Sequence, residues 1–107
     1  IISGGENIYP VQIENFLSKY PKIKDVAVIG LADERLGEIS AAIIELNPDT
    51  ECSEEEINEF CKELPRYKRP RKVIFAEVPR NATGKIEKPR LREIYHSKNL
   101  VDAQNRG

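Results

Sequence analysis

The sequences DVAVIGL (residues 25–31) and EISAAIIEL (residues 38–46) are two apolar runs separated by a polar loop at residues 32–37. Runs rich in valine and isoleucine and bounded by polar turns are typical of β-strands, so we expect two neighbouring strands here. A third run of this kind, KVIFAEV at residues 72–78, predicts a third strand. The pattern does not fix the order of the strands.

The N-terminal part of the chain predicts a short hairpin followed by a helix. Residues 1–9 have the pattern of two short extended segments around Ser3-Gly4-Gly5, where two glycines permit the positive backbone angles of a tight turn. Pro10 is suited to the first position of a helix, which Pro21 would end. Four side chains follow at the i, i+3, i+4, i+7 spacing of one buried stripe: Ile13, Phe16, Leu17 and Tyr20.

Two further helices are predicted. Ser53 with Glu56 three residues later has the pattern of a capping box, opening a helix that Pro65 ends. This helix is predicted to carry Ile57, Phe60, Cys61 and Leu64 on one face, and a last helix from about Pro89 is predicted to carry Leu91, Ile94 and Tyr95 on one side. Residues 98–107 have little periodicity and are expected to form an irregular tail. The whole indicates a small α+β domain, with a sheet of about three strands covered by helices and preceded by the hairpin.

The composition indicates one small globular domain. The chain has 107 residues, of which 39% are apolar and 33% charged, enough for one modest core but not for a deep active-site cavity of its own. We find neither an apolar run long enough to span a membrane nor a signal peptide, and we expect a cytoplasmic protein. Because the sequence starts at Ile1 and contains no methionine, we expect it to be part of a larger protein whose other part lies upstream.

The cysteines do not predict a metal site or a redox pair. Cys52 and Cys61 are nine residues apart, and His96 is the only histidine, which fits neither a zinc site nor a redox motif. Cys61 shares its predicted helical face with apolar side chains, so we expect it in the core.

Charge is distributed unevenly along the chain. Residues 1–61 carry 13 acidic and 4 basic side chains, whereas residues 62–107 carry 5 acidic and 13 basic ones. The segment 66–92 is dense enough in positive charge to attract a phosphate-bearing partner, although it could also be a solvated face. A non-enzymatic module that binds RNA or DNA is a further alternative. We disfavour it because Tyr67 and Phe75 are the only aromatic residues of the segment and Phe75 lies in a predicted strand.

The loop PRNATGK, residues 79–85, presents a lysine after a threonine–glycine pair. It is not a nucleoside-triphosphate P-loop, because Pro79 stands where that motif requires glycine and Ile86 stands where it requires serine or threonine. Lys85 is nevertheless a point charge at a loop tip, able to reach a phosphate or carboxylate supplied from elsewhere. An ordinary surface lysine is the alternative.

Taken together, four segments resemble the C-terminal domain of adenylate-forming acyl-CoA synthetases over nearly residues 1–95. They are SGGENIYP with IE (3–10 and 13–14), the loop from DE to GE (33–38), LPRYKRP (64–70) and PRNATGKI (79–86). The first is most similar to fatty acyl-CoA ligases and their relatives. The resemblance implies that residues 1–107 are a mobile lid domain, with the hinge residue upstream of Ile1 and the large N-terminal adenylation domain absent.

The resemblance also implies a reaction in two steps. ATP and a carboxylic acid, here a fatty acid, give an acyl-adenylate and pyrophosphate, and the thiol of coenzyme A then displaces AMP. The sites for ATP, the acyl chain and Mg²⁺ would lie mainly on the N-terminal domain, so the fragment alone is expected to bind no cofactor and to be inactive. Lys85 corresponds to the catalytic lysine of the family, which would neutralise charge as the carboxylate attacks the α-phosphate.

The coenzyme A side of the site is implied by the same resemblance. Gly4 and Gly5 would lie beside the pantetheine channel, although they could equally serve only the hairpin turn. Lys68, Arg69 and Arg71 are candidates for contacts with the phosphates of the coenzyme A nucleotide. Many family members have proline at the position of Ala32 and arginine at that of Lys88, and neither departure touches the proposed chemistry.

Overall fold

The computed structural model describes residues 2–3, 6–7, 9–35 and 37–95. Two short strands, β1 (Ile2–Ser3) and β2 (Glu6–Asn7), pair antiparallel, with Ser3 opposite Glu6. This pairing confirms the N-terminal hairpin. Gly4 and Gly5, which were predicted to form its turn, lie outside the described residues.

A sheet of three strands forms the centre of the domain: β3 (Ile23–Asp33), β4 (Gly37–Leu46) and β5 (Lys72–Phe75). The order is β3-β4-β5, so β4 is central, antiparallel to β3 and parallel to β5. The predicted third strand extended to Val78, but the chain leaves the ladder earlier. The Val78 amide donates instead to the Glu45 side chain, at 2.9 Å from Oε1.

The connection between β3 and β4 is shorter than the predicted loop at residues 32–37. Pairing continues to Asp33 opposite Gly37. Gly37 has a φ of 80°, a left-handed conformation in which glycine is not strained and which permits a tight reversal. The Asp33 carboxylate accepts a hydrogen bond from the Arg35 amide at 3.1 Å and so stabilises the same turn.

Within the described residues, three helices cover the two faces of the sheet: α1 (Pro10–Leu17), α2 (Glu54–Phe60) and α3 (residues 88–95). Because adjacent strand residues point to opposite faces, β3 and β4 contribute to two cores. One core, under α1 and α2, includes Ile13, Leu17, Val26, Val28, Ala42, Ile44, Ile57, Cys61 and Val73. The other, under α3, includes Ala27, Ile29, Leu31, Ala41, Ile43, Val78, Leu91 and Tyr95. This arrangement confirms the predicted α+β class.

The first helix ends before the predicted proline. Pro10 occupies its first turn, as expected, but the helix ends at Leu17 and a turn leads to Pro21. Tyr20 therefore packs from the turn, with its ring 4.7 Å from that of Phe60.

The predicted capping box is only half formed. The Ser53 hydroxyl accepts a hydrogen bond from the Glu56 amide at 3.1 Å, but the Glu56 carboxylate pairs with Lys22 at 2.9 Å and accepts from the Tyr20 hydroxyl. An ammonium is a stronger partner for a carboxylate than a neutral backbone amide. The hydrogen bond to Glu56 raises the pKa of Tyr20 to about 12.

Cys61 is buried at the start of a 3-10 turn, Cys61–Glu63, which confirms its place in the core. Burial raises the pKa of its thiol to about 11. Within the described part of the chain, no helix is long and apolar enough to cross a membrane.

Candidate functional site

The first candidate region, which we call the lysine loop, comprises residues 79–87 and is closed at its neck by backbone contacts. Arg80 and Ile86 form an isolated antiparallel bridge. The Asn81 amide donates to the Lys85 carbonyl at 2.9 Å, and the Glu87 amide donates to the Pro79 carbonyl at 3.0 Å. The tip, residues 81–85, is exposed. The loop therefore has a defined backbone at a solvent-facing position.

The tip of the lysine loop is organised by one side chain, that of Asn81. Its Oδ1 accepts from the Thr83 amide at 3.0 Å, the Thr83 hydroxyl at 2.7 Å and the Lys85 amide at 3.0 Å. Gly84 completes the turn with a φ of 84°. Asparagine side chains often bond to backbone amides two residues further on, and glycine readily adopts positive φ.

Lys85 presents its ammonium group outward from this ordered tip. Its side chain is exposed, and within residues 9–35 and 37–95 it makes no salt bridge or side-chain hydrogen bond. A lysine ammonium without a carboxylate partner, on a backbone that is itself fixed, is suited to bind a phosphate or carboxylate brought from outside the domain.

The lysine loop is fastened to β3 by a two-pronged ion pair. The Arg80 guanidinium donates to the two carboxylate oxygens of Asp25 at 2.7 and 2.8 Å, and it also donates to the carbonyl of Gly84. The pairing lowers the pKa of Asp25 and raises the pKa of Arg80. Planar fork geometry makes arginine a well-defined partner for a carboxylate.

A second ion pair anchors the chain just after the lysine loop. Lys88, in the first turn of α3, lies 2.7 Å from the Glu14 carboxylate of α1. Glu14 also accepts from the Val28 amide at 2.8 Å, on the side of β3 that has no neighbouring strand among the described residues. The residues on both flanks of the loop are thus tied to the open edge of the sheet.

The second candidate region, which we call the basic strip, comprises residues 66–71. Its three candidate side chains differ in what they contact. Lys68 donates to Gln12 Oε1 at 3.2 Å, and Arg69 donates to the carbonyls of Leu64 and Lys62, both at 3.0 Å. The exposed Arg71 side chain has no ion-pair or hydrogen-bond partner within the described ranges, while its backbone amide bonds to Ser40.

The structure does not bring Lys85 and the basic strip together. Arg71 lies beside Ser40, near the start of β4, whereas Arg80 contacts Asp25, which is opposite Glu45 near the end of β4. Five residues of strand separate these two points, roughly 17 Å at about 3.4 Å per residue. Arg71 and the Arg80 anchor of the lysine loop are therefore attached near opposite ends of β4, whereas Lys68 contacts α1 through Gln12.

Sequence reasoning missed the residues that hold the lysine loop in place: Asn81, Arg80 and Asp25. The tendency of asparagine to form hydrogen bonds within turns could have indicated Asn81, since it stands two residues before Thr83-Gly84. The partners Arg80 and Asp25 are 55 residues apart in sequence, so only the fold pairs them. Phe75 lies in a strand as predicted, at the end of β5, and its side chain is 39% exposed.

The described residues contain no cluster of three or more histidine, cysteine, aspartate or glutamate side chains that could hold a metal ion. The lysine and arginine side chains of the two candidate regions are suited to anions.

Comparison with known proteins identifies the family. The model of the AMP-binding enzyme C-terminal domain matches residues 12–85, which includes most of α1, the whole sheet, the basic strip and Lys85. The chain belongs to this family. The AMP-binding enzyme C-terminal domain described here thus carries Lys85 at the last matched position.

Named relatives share this domain. A long-chain-fatty-acid–CoA ligase, FadD13 of Mycobacterium tuberculosis, is 57% identical over 97 residues, which are 89% of this chain and 19% of the relative. The medium-chain acyl-CoA ligase ACSF2 of Danio rerio, named as mitochondrial, is 50% identical over 95 residues, 87% of this chain and 16% of the relative. The chain therefore spans less than a fifth of the length of these relatives.

A solved structure has the same fold. The crystal structure of ATP-bound MatB from Rhodopseudomonas palustris aligns with a TM-score of 0.85 and 34% identity, covering 90% of this chain and 20% of MatB. The fold of this AMP-binding enzyme C-terminal domain thus recurs within a larger protein.

Proposed function

We propose that this chain is the C-terminal domain of an ATP-dependent carboxylic acid–CoA ligase and that Lys85 takes part in forming the acyl-adenylate. The observation that carries the proposal is the Lys85 ammonium, which has no partner among the described residues and sits on a loop fixed by Asn81 and Arg80. Membership in the AMP-binding family and the acyl-CoA ligase names of the relatives support it.

Lys85 has the chemistry that adenylation requires. As a carboxylate oxygen attacks the α-phosphate of ATP, negative charge increases on the phosphoryl oxygens, and a fixed cation stabilises that transition state more than the ground state. An exposed ammonium fits a phosphate, so the residues present are compatible with ATP as a substrate. Mg²⁺, when bound, would neutralise further phosphate charge, and its ligands are proposed to come from the N-terminal adenylation domain.

The second half of the reaction is assigned to the opposite end of the sheet. Coenzyme A carries phosphates, which the exposed Arg71 and the half-buried Lys68 can approach, whereas the guanidinium of Arg69 is already engaged with two carbonyl groups. Gly4 and Gly5 are proposed to line the pantetheine path, where the absence of a Cβ atom allows close approach to the backbone. Of the three candidates for contact with the phosphates of coenzyme A, we therefore propose Arg71 first and Lys68 second.

The proposed partner follows from the size of the domain, and the proposed substrate class follows from the names of the relatives. The N-terminal adenylation domain is proposed to supply the acyl, adenine and magnesium sites, because a lid of this size offers cations but no deep pocket. The two relatives are named for long-chain and medium-chain acids. The proposal is therefore a ligase for a fatty or related carboxylic acid, with no chain length assigned.

The two half-reactions, assayed separately in the full-length protein, test the proposal. Lys85→Ala should slow acyl-adenylate formation by about 10²- to 10³-fold, in line with the loss of other charge-stabilising donors, while thioester formation from supplied acyl-adenylate largely survives. Gly4→Leu should do the reverse, so that acyl-adenylate accumulates. Lys62→Ala, which removes an exposed lysine whose ammonium pairs with Glu59, is the matched control.

Circular dichroism and thermal unfolding must first show that each variant is folded, since Gly4→Leu could disturb the hairpin. If Lys85→Ala and Gly4→Leu lose both half-reactions in equal proportion, the assignment of the two ends of the domain to two steps is wrong. If Lys85→Ala behaves like the Lys62→Ala control, the proposed role of Lys85 is wrong.

A further inference from the structure

We propose that Arg80 and Asp25 form a positioning pair for Lys85, acting through the carbonyl group of Gly84. This inference rests on the proposed function of Lys85 and deepens it. Neither residue is proposed to touch a substrate, so both are positioning residues.

The contacts of Arg80 form a continuous path from the sheet to Lys85. Two of its nitrogens hold the Asp25 carboxylate at 2.7 and 2.8 Å, and the third donates to the Gly84 carbonyl. That carbonyl belongs to the peptide group joining Gly84 to Lys85. Because a peptide group is planar, holding its oxygen through Arg80 and its N–H through Asn81 fixes the plane on which the Lys85 backbone begins.

Asp25 is itself held in place by the backbone of β3. Its Oδ1 accepts a hydrogen bond from the Val26 amide at 2.9 Å, and its side chain is only 20% exposed. The carboxylate is therefore a fixed point on the open edge of the sheet. The Arg80 guanidinium links this carboxylate to the lysine loop.

The need for such a pair follows from the conformation of Gly84. With a φ of 84° and no atom within 4 Å of the position a Cβ would occupy, packing does not hold this residue in its turn. Glycine also has the largest backbone freedom of any residue. Hydrogen bonds therefore define its conformation: its amide donates to the Asn81 carbonyl at 2.9 Å, and its carbonyl accepts from Arg80.

Stability alone does not account for the pair. Ion pairs at the surface contribute about 0 to 1 kcal/mol, and the Arg80 side chain is 44% exposed. Bidentate geometry is the case in which such a pair contributes most, so stability accounts for the two bonds to Asp25 but not for the third, which is directed at the residue before Lys85. Orientation of the catalytic cation is the function that uses all three bonds.

The test compares single variants of the full-length protein in the adenylation half-reaction. Arg80→Gln and Asp25→Asn should each lower kcat for acyl-adenylate formation by about 10- to 10²-fold, because displacement of a catalytic group by about 1 Å can cost about 10²-fold. KM for ATP should change little, and thioester formation from supplied acyl-adenylate should be unaffected. The matched control is Arg35→Gln, which removes an exposed arginine of the turn between β3 and β4, outside the lysine loop.

A double variant separates positioning from a general structural role. If Arg80 acts through Lys85, then Arg80→Gln combined with Lys85→Ala should be no slower than Lys85→Ala alone. The exchanged pair Asp25→Arg with Arg80→Asp should not restore the rate, since aspartate cannot donate to the Gly84 carbonyl. Thermal unfolding of every variant provides the check on folding, and Arg80→Lys is the milder substitute should Arg80→Gln be unstable.

Several outcomes would overturn the inference. An Arg80→Gln rate equal to that of Arg35→Gln would do so, as would a double variant whose loss is the product of the two single losses. Equal loss in both half-reactions would indicate damage to the whole domain instead. If Lys85→Ala itself leaves adenylation intact, the proposed function fails together with the inference; if Lys85→Ala slows adenylation and Arg80→Gln does not, only the inference fails.

Discussion

The lysine loop and the basic strip both lie at the surface, both present positive charge, and are separated by a single strand in sequence, yet their side chains are used in opposite ways. In the lysine loop, Arg80 and Asn81 bond to the backbone of their own loop. The Lys85 ammonium has no partner within residues 9–35 and 37–95. In the basic strip, Arg69 bonds to the end of the preceding helical segment and Arg71 is left exposed.

The difference shows that charge density does not distinguish the cations already bonded within the domain from those that are not. Of the side chains in the two regions, the guanidinium groups with the best hydrogen-bond geometry, Arg69 and Arg80, serve the protein itself. The proposed function uses the cations whose backbone is held by hydrogen bonds while the side chain is not. Lys85 and Arg71 share that property, because the Lys85 amide bonds to Asn81 and the Arg71 amide bonds to Ser40.

The largest effect that would sharpen this comparison is expected within the basic strip. Arg69→Ala should destabilise the domain by about 1 to 2 kcal/mol, since two carbonyls lose a charged donor, and should leave KM for coenzyme A nearly unchanged. Arg71→Ala should leave stability unchanged and raise KM for coenzyme A several-fold, with no change in KM for ATP. Thermal unfolding and steady-state kinetics of the full-length protein measure the two effects, and a reversed pattern would contradict the division.

A smaller effect is expected from the two glycines of positive φ, which form a matched pair. Gly84 and Gly37 have φ values of 84° and 80°, and at neither does any atom lie within 4 Å of the place a Cβ would take. Replacement of either by alanine should cost about 1 kcal/mol of stability through backbone strain alone. Only Gly84→Ala should slow adenylation, because only Gly84 precedes the lysine. Equal rates for the two variants would break the link between loop conformation and activity.

The smallest effect concerns pH and the anchor of the lysine loop. Hydrogen bonding to Arg80 lowers the pKa of Asp25 below its ordinary value of 3.8. A lowered pKa in the folded state contributes stability that is present above pH 3.8 and is lost as the pH falls through the lowered value. At neutral pH, Asp25→Asn should therefore lower the free energy of unfolding by less than about 1 kcal/mol, seen as a slightly lower unfolding temperature than that of the unaltered protein. The difference should vanish in acid. A difference that persists below the pKa of Asp25 would contradict the sign.

The sequence predicted the parts of this fold that depend on local pattern. The runs at 25–31 and 38–46 are strands, and the first helix begins at Pro10. The ends of the strands were predicted less accurately. Cross-strand pairing extends β3 to Asp33, and the Val78 amide donates to the Glu45 side chain instead of continuing β5. Both corrections arise from contacts between distant segments, which a local pattern does not contain.

For the candidate site, the sequence supplied candidate residues but not their contacts. The resemblance pointed to Lys85 and the three cations of the basic strip, but it did not distinguish Arg69 from Arg71, since their surroundings in sequence are alike. Glu56 was assigned to a capping box, whereas in the fold its carboxylate pairs with Lys22. In each case the sequence indicates that the side chain is charged, whereas its hydrogen-bond or ion-pair partner depends on which segments the fold brings together.

The attachment of the lysine loop to the edge of β3 has a kinetic consequence. A side chain on a freely moving loop could enter and leave a reaction site on its own, at the rate of loop motion. Lys85 stands on a loop that is attached to the sheet through Asp25 before it and through Glu14 after it. Under the proposed function, the ammonium would therefore enter or leave a reaction site on the adenylation domain only as this whole domain turns, and the rate of its arrival would be the rate of that rotation.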